Sequence, residues 1–338
     1  MSGLFADLVG QNQAVALLDA ALKHQRLAPA YLFAGPNGVG RRRAALRFVE
    51  GVLAGPTGSP AIRRRLEEGN HPDLLWVEPT YSDKGQLVPA SKAAELGVSR
   101  RAAPQLRLEQ IRDVSRFLAR RAVEAPGCLV VLEGAEAMAE GAANALLKTL
   151  EEPGDGLLIL LTAAPEQLLS TIRSRCQQIP FARLAPALMV QVLAGCGAPG
   201  VGPGDGDPAE LVELAAGSPG ALLAHRQQWQ TLPEGLADRL RGLAQGALEP
   251  LVALELARDL CEVLDGEQQL WLLDWWQLVL WRQAPAPAQV PVLRRLETLR
   301  SHLKAYVQPR LAWEVALLEL ASSSHGEARG SSQPRRPF

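Results

Sequence analysis

The chain has 338 residues, 47% of them hydrophobic and 21% charged, which is ordinary for a soluble globular protein and long enough for two or three domains with a large core. Its net charge of −1 excludes a polycation that grips nucleic acid by bulk charge, so any such contact needs a local patch or an assembly. The first residues, MSGLFADLVG, hold neither a basic start nor an apolar run, and no stretch approaches the ~20 apolar residues of a membrane span, so no signal peptide, no membrane contact and a cytoplasmic location are expected.

Residues 8–27 read as an amphipathic helix with Val15, Leu18 and Leu22 at helical spacing. Tyr31 to Ala34 is a short apolar run that enters a glycine loop, GPNGVGRRR (35–43), and Arg41 to Leu53 reads as a helix leaving it. Strand, glycine loop and helix form the context of a phosphate-binding loop. That pattern asks for Gly, four residues, Gly, Lys and then Ser or Thr; Gly35 and Gly40 fit, with Gly38 between them, but Arg41 and Arg42 hold the last two positions. Arg41 keeps a positive charge on a fork that does not replace an ammonium, and Arg42 puts a cation where a Mg²⁺ ligand belongs.

Leu74 to Val77 is a candidate second strand, and Tyr81 to Ala103 is polar and irregular, as in a surface insertion. Leu108 to Arg121 reads as a helix, with Leu108, Ile111, Val114 and Leu118 on one side and Arg112, Arg116 and Arg120 at i, i+4 and i+8 on another. That arginine row is either a solvated face or a contact with nucleic-acid phosphates. Cys128 to Leu132 and Leu157 to Thr162 are continuous apolar runs, suited to strands buried on both faces of a parallel sheet, with a helix near Ala142 to Leu150 between them. The alternation gives a doubly wound α/β domain ending near Phe181.

Beyond Phe181 the strand signal stops. Leu184 to Leu193, Pro208 to Ala216 and Gly217 to Trp229 read as short helices, and from Leu236 the pattern is helical, interrupted by APAPA near 284. The Trp-rich stretch WLLDWWQLVLW forms either a helical core or an aromatic stripe for oligomer packing. The tail from 323 to 338 is rich in Ser, Gly, Pro and Arg and is expected to be disordered. Cys128, Cys176, Cys196 and Cys261 lie far apart with no CxxC pair, which suggests neither a zinc site nor a disulfide framework.

DLVGQ (7–11), YLFAGPNGVG (31–40), NALLKTLEEP (144–153) and STIRSRC (170–176), with QPRLAWEVALLEL (308–320), occur in an order that resembles the bacterial DNA polymerase III clamp-loader family, its delta-prime branch in particular. The resemblance covers nearly the whole chain except the tail. It implies an AAA+ α/β domain with a RecA-like parallel sheet and a degenerate phosphate loop (1–182), a small helical lid (183–232) and an all-α collar that oligomerises (233–322). Active members carry an Asp-Glu pair after the strand that here ends at Leu132; this chain has Glu133 and then Gly134. GSPGAL (217–222) resembles the second sensor motif, with Gly220 where active members have an Arg that touches the γ-phosphate. Thr162 or Ala163 falls at the first sensor position.

The resemblance therefore implies a chain that does not hydrolyse ATP itself and needs no cofactor, within a DNA-directed DNA polymerase complex whose neighbouring subunits bind ATP. Ser174-Arg175-Cys176 resembles the motif whose Arg reaches a neighbour's ATP, unless Arg175 merely pairs with a local carboxylate. The implied partners are gamma/tau-like motor subunits, a delta-like subunit, the sliding clamp and primed DNA held by the ring. The alternatives are an active AAA+ ATPase, either the motor subunit or a branch-migration helicase, and a degenerate AAA+ adaptor outside replication. Relatives often carry a four-cysteine zinc module after the first domain helix; residues 51–72 have no cysteine, and His71 of NHPDLL reads as a strand-entry residue rather than a lone ligand.

Overall fold

The computed structural model describes residues 3–329 apart from 84, 94, 99–102, 153, 198–206, 244–248, 284–285 and 306, with backbone alone at 243, 283, 286–290 and 321–329. The chain forms two compact units. The first holds α1 (Asn12–Lys23), β1 (Ala30–Ala34), α2 (Arg41–Ala54), α3 (Pro60–Glu67), β2 (Leu74–Val77), β3 (Thr80–Asp83), β4 (Gln86–Pro89), α4 (Leu108–Leu118), β5 (Leu129–Leu132), α5 (Glu140–Glu151), β6 (Leu157–Thr162), α6 (Ser170–Arg173), β7 (Gln177–Pro180) and α7 (Pro186–Gly195). Five parallel strands lie in the order β2-β5-β6-β1-β7, with β3 and β4 as a separate antiparallel ribbon.

Strand alternation builds the three layers. Tyr31, Phe33, Val131, Ile159 and Ile179 face α1 and α2, while Leu32, Val130, Leu132, Leu158 and Leu160 face α4 and α5. Every residue of β5 and β6 is buried, as continuous apolar runs require of a sheet covered on both faces. The C-terminal ends of β1, β5 and β6 bring the glycine loop, Glu133 and Thr162 to one edge, where open α/β sheets place ligands.

Three local expectations are corrected. Helix α1 starts at Asn12 rather than near residue 8, because Gly10 takes φ +78° and breaks the run. Helix α4 ends at Leu118, so Arg120 does not continue the arginine row. The 81–103 segment contains the β3–β4 ribbon, whose Tyr81 packs with Ala93 and Val98 as a small core of its own.

Where the resemblance implied a zinc module, α3 is tied to α2 by charge. The buried Glu50 carboxylate accepts from Arg63 Nε at 2.9 Å and from the Ser59 amide at 2.9 Å, while Arg47 bonds Asp7 at 2.9 Å and Glu67 at 3.1 Å. Among the described residues no group of three or more His, Cys, Asp or Glu could hold a metal, and no helix is long and apolar enough to cross a membrane.

The segment after α4 is fastened by Asp73. Its buried carboxylate accepts the backbone N–H groups of Val123, Glu124 and Ala125 at 2.8, 2.7 and 2.8 Å. Burial alone would push the Asp73 pKa up, but these bonds outweigh it and hold the pKa below the usual value. Next to it, His71 is buried and its Nδ1 accepts the Asp73 amide at 3.2 Å, so the neutral ring is the one in place. Burial first, and the Arg65 charge second, lower the His71 pKa. Both folded pKa values lie below their unfolded values, so the unfolded chain binds more protons and stability falls on acidification. The His71 contribution is complete above its ordinary value of about 6.5 and the Asp73 contribution above about 4, each fading as pH drops through the lowered value. Urea titrations from pH 7 to 3 should show the stability deficit of Asp73→Asn shrinking toward the acid end, whereas a constant deficit would deny the carboxylate this role.

The second unit holds most of α8 (Ala209–Ala215) and α9 (Pro219–Gln230), then α10 (Leu236–Leu243), α11 (Pro250–Val263), α12 (Gly266–Gln283), α13 (Ala286–Lys304) and α14 (Pro309–Arg329). Trp275 and Trp276 of WLLDWWQLVLW are fully buried and, with Trp313, build the core of this unit, while Trp281 of the same stretch is 51% exposed. Trp276 Nε1 donates to Leu240 O at 3.0 Å and Trp313 Nε1 to Gln269 Oε1 at 3.1 Å, which satisfies these two indoles, while the buried Trp275 Nε1 has no hydrogen-bond partner. Helix α14 continues through Arg329, into the stretch read as a disordered tail, and residues 330–338 lie outside the described residues.

Candidate nucleotide and arginine-finger sites

The glycine loop has the expected outline. Gly40 in the left-handed region caps α2, and Gly35 lies so close to Phe181 that a Cβ would stand 2.3 Å from its carbonyl oxygen. Gln11 explains the DLVGQ stretch: its side-chain amide donates to Val39 O at 3.2 Å and Ala182 O at 2.7 Å and accepts from Ala182 N–H at 2.9 Å. One buried side chain thus ties the loop to the segment leaving β7.

The chemistry positions are filled by the chain's own contacts. Arg42 Nη1 donates to Glu133 Oε2 at 2.7 Å, Trp76 Nε1 donates to the same oxygen at 3.0 Å, and the Arg42 guanidinium lies 4.5 Å over the Trp76 ring. A guanidinium therefore partners the carboxylate that in a working site serves the metal. Arg41 bonds the Asn37 side chain; burial lowers its pKa, with the charges of Glu136 and Glu133 opposing. Gly134 holds the position that the resemblance matches to a catalytic carboxylate. Its φ is +63°, and a Cβ would sit 2.8 Å from Pro79 Cγ, so the backbone there disfavours any side chain. Glu136 is turned to the Ala163 amide at 3.1 Å, and the buried Thr162 hydroxyl accepts the Ala164 amide at 3.2 Å.

The loop is also bolted to the GSPGAL stretch. Gly220 N–H donates to Gly38 O at 3.0 Å and Ser218 Oγ donates to Asn37 O at 2.6 Å. A Cβ at Gly220 would meet Gly38 Cα at 2.6 Å, and one at Gly38 would meet the Ala221 amide nitrogen at 2.6 Å. Two glycines let backbone pack on backbone here, with Gly220 at the position that the resemblance matches to a phosphate-sensing arginine.

Arg175 lies in the turn between α6 and β7. Its Nη1 donates to Thr171 O at 3.1 Å and its Nη2 to Glu151 Oε1 at 2.8 Å, the last residue of α5. Its side chain is 37% exposed, so it has a local carboxylate partner and still reaches solvent. Ser174 Oγ donates to Thr171 O at 3.2 Å. Cys176 is buried, and burial pushes its thiol up to about 11, which makes it a packing residue rather than a nucleophile. Arg173 is half-buried, with a buried Nε that has no hydrogen-bond partner.

Arg112 and Arg116 line an open groove of about 860 Å³ between α4 and α5, with Asn144 and Lys148 on its other side. Arg116 also pairs with Asp113. Arg120 leaves the row: it donates to Pro72 O at 3.1 Å and covers the Phe117 ring at 4.1 Å. Sequence reading missed Gln11, Asn37, Trp76, Glu151 and Ser218. Gln11, Asn37 and Glu151 lay inside quoted motifs, where their neighbours drew the attention; Trp76 was hidden in a strand.

A family profile described as DNA polymerase III, delta subunit, matches residues 10–185, and one described as the C-terminal domain of cyanobacterial DNA polymerase III delta prime matches residues 187–320. The chain is 32% identical over 263 residues to DNA polymerase III subunit delta' of Pseudomonas aeruginosa, covering 73% of this chain and 70% of that protein. It is 35% identical over 182 residues to subunit delta' of Bacillus subtilis, of which it spans about half (49%). Subunit tau/gamma of Haemophilus influenzae is 32% identical over 197 residues, 25% of its length. Among solved structures, a DNA polymerase III gamma subunit-related protein of Thermotoga maritima superposes with TM-score 0.53 at 18% identity, covering 92% of this chain and 99% of that one, a likeness of fold.

Proposed function

The chain belongs to the bacterial DNA polymerase III delta-prime family, and from that premise we propose that it is a non-hydrolysing subunit of the clamp loader that supplies Arg175 in trans to the ATP of a neighbouring subunit. The observation that carries the first half is the Arg42–Glu133–Trp76 cluster, in which the carboxylate left at the metal position is held by a cation of the same chain. A Mg²⁺ ion would have to displace a guanidinium bonded at 2.7 Å, with no Ser or Thr hydroxyl to replace it. Gly134 removes the carboxylate that would orient the attacking water, and Gly220 removes the arginine of the second sensor.

The second half rests on Arg175, half-exposed and keeping N–H groups free after its two local bonds. A guanidinium delivered to a γ-phosphate from outside stabilises the charge of phosphoryl transfer. The partners in this reading are gamma/tau-like motor subunits and a delta-like subunit, joined through the helices of the 233–322 collar. In this reading the assembled ring acts in the cytoplasm on the sliding clamp and primed DNA; support for backbone-phosphate contact is that Arg112 and Arg116 line the open groove between α4 and α5, while Arg120 bonds Pro72 O outside that row.

Equilibrium dialysis of the purified chain against ATP, with and without Mg²⁺, tests the closed site: the expected result is no Mg²⁺-dependent binding. Tight Mg²⁺-ATP binding lost in Arg42→Ala would instead support an active ATPase, the motor-subunit or helicase alternative.

A further inference from the structure

We propose that Glu151 is a positioning residue for Arg175, fixing the plane of its guanidinium for the neighbour's phosphate; the inference rests on the trans-finger reading above. The two residues come from separate elements: Glu151 ends α5, and Arg175 follows the single turn of α6. The pair is 2.8 Å long, with side chains 37% and 53% exposed. An exposed pair of this kind adds little to the stability of the fold.

Its consequence is orientation. A guanidinium carries five N–H donors in one rigid plane. Thr171 O takes one from Nη1 and Glu151 Oε1 takes one from Nη2, which fixes that plane at two points. Nε–H and one donor on each terminal nitrogen remain for a phosphate. Without Glu151, Thr171 O is a single hinge about which the fork can swing, and each swing has to be frozen out when the neighbour's ATP is met. Holding a charged group in its reactive orientation before the reaction is the kind of contribution that accelerates a step without adding a contact to it. Glu151 touches neither substrate nor reacting atoms in this account and acts only through Arg175.

The test uses the full chain reconstituted with gamma/tau-type and delta-type subunits, the sliding clamp and primed DNA, reading single-turnover ATP hydrolysis at the adjoining site. Glu151→Ala is expected to slow that site by about tenfold with the ATP concentration for half-maximal rate little changed. Glu151→Gln, which keeps an acceptor oxygen for Nη2, is expected to recover most of the rate. Glu151→Ala with Arg175→Ala should be no slower than Arg175→Ala alone, since Glu151 has nothing else to position. A normal or faster rate in Glu151→Ala, while Arg175→Ala is slow, would overturn this inference and leave the trans finger standing. A normal rate in Arg175→Ala would remove the finger itself. Slowing by Glu151→Ala that adds to Arg175→Ala, or that appears equally in Glu151→Gln, would assign Glu151 a role independent of Arg175 and also overturn the inference.

Discussion

Arg175→Ala is expected to leave the chain folded and the clamp loader assembled, yet to lower ATP hydrolysis at the adjoining site by roughly 10³–10⁵-fold, the range associated with an arginine supplied in trans. The fold should survive because Arg175 is 37% exposed and its one ion pair, to Glu151, is open to solvent. Clamp- and DNA-stimulated turnover of the whole complex should drop by one site's share, and clamp loading should slow. Arg175→Lys is expected to rescue poorly, because an ammonium has no planar fork to offer two phosphate oxygens. Arg173→Ala is an informative neighbouring control. Its buried Nε has no hydrogen-bond partner, so the substitution deletes an unsatisfied donor, and little loss of stability is expected in the isolated chain, read by urea unfolding. Full activity of the Arg175→Ala complex would make this subunit a scaffold without a chemical part.

Gly38→Ala carries the second large effect, this time on stability. The added methyl would stand 2.6 Å from the Ala221 amide nitrogen and 2.8 Å from Gly220 Cα, both backbone atoms, in a residue whose φ is +77°. Neither obstacle can rotate away, so the glycine loop and the 218–221 stretch would have to separate, giving up the Gly220–Gly38 and Ser218–Asn37 bonds. A loss of about 2–4 kcal/mol is expected, from overpacking together with backbone strain. Gly141→Ala, on the exposed face of α5 with nothing within 4 Å of the new methyl, should be neutral or slightly stabilising. Equal urea midpoints for the two variants would show that the loop is not held by this backbone contact.

The parts of the fold legible in the sequence were those with strong periodicity. LVVL and LLILLT suited strands buried on both faces, and the helix carrying Ile111, Val114 and Leu118 announced its core face. Strand β7, QQIP, gave no such signal, since a short edge strand buries only Ile179. Helix α3, PAIRRRLE, was hidden because its apolar face is only Ile62 and Leu66, and Arg63 reads as a surface charge until the buried Glu50 of α2 is known to face it. Arg120 was misplaced because spacing alone cannot show where a helix stops.

The candidate site divides in the same way. The absent Lys, Ser/Thr, catalytic Glu and sensor Arg could be read as letters. What replaces them could not, because it depends on pairs far apart in sequence: Arg42 with Glu133, Gly38 with Gly220, and Arg175 with Glu151.

The most direct measurement is ATP turnover by the purified chain, alone and then mixed with the gamma/tau-type and delta-type subunits, clamp and primed DNA. No Mg²⁺-dependent turnover is expected from the chain alone, and the mixture should gain activity when the chain is added and lose that gain with Arg175→Ala. Turnover by the chain alone that disappears with Arg42→Ala, or a gain that persists in Arg175→Ala, would contradict it.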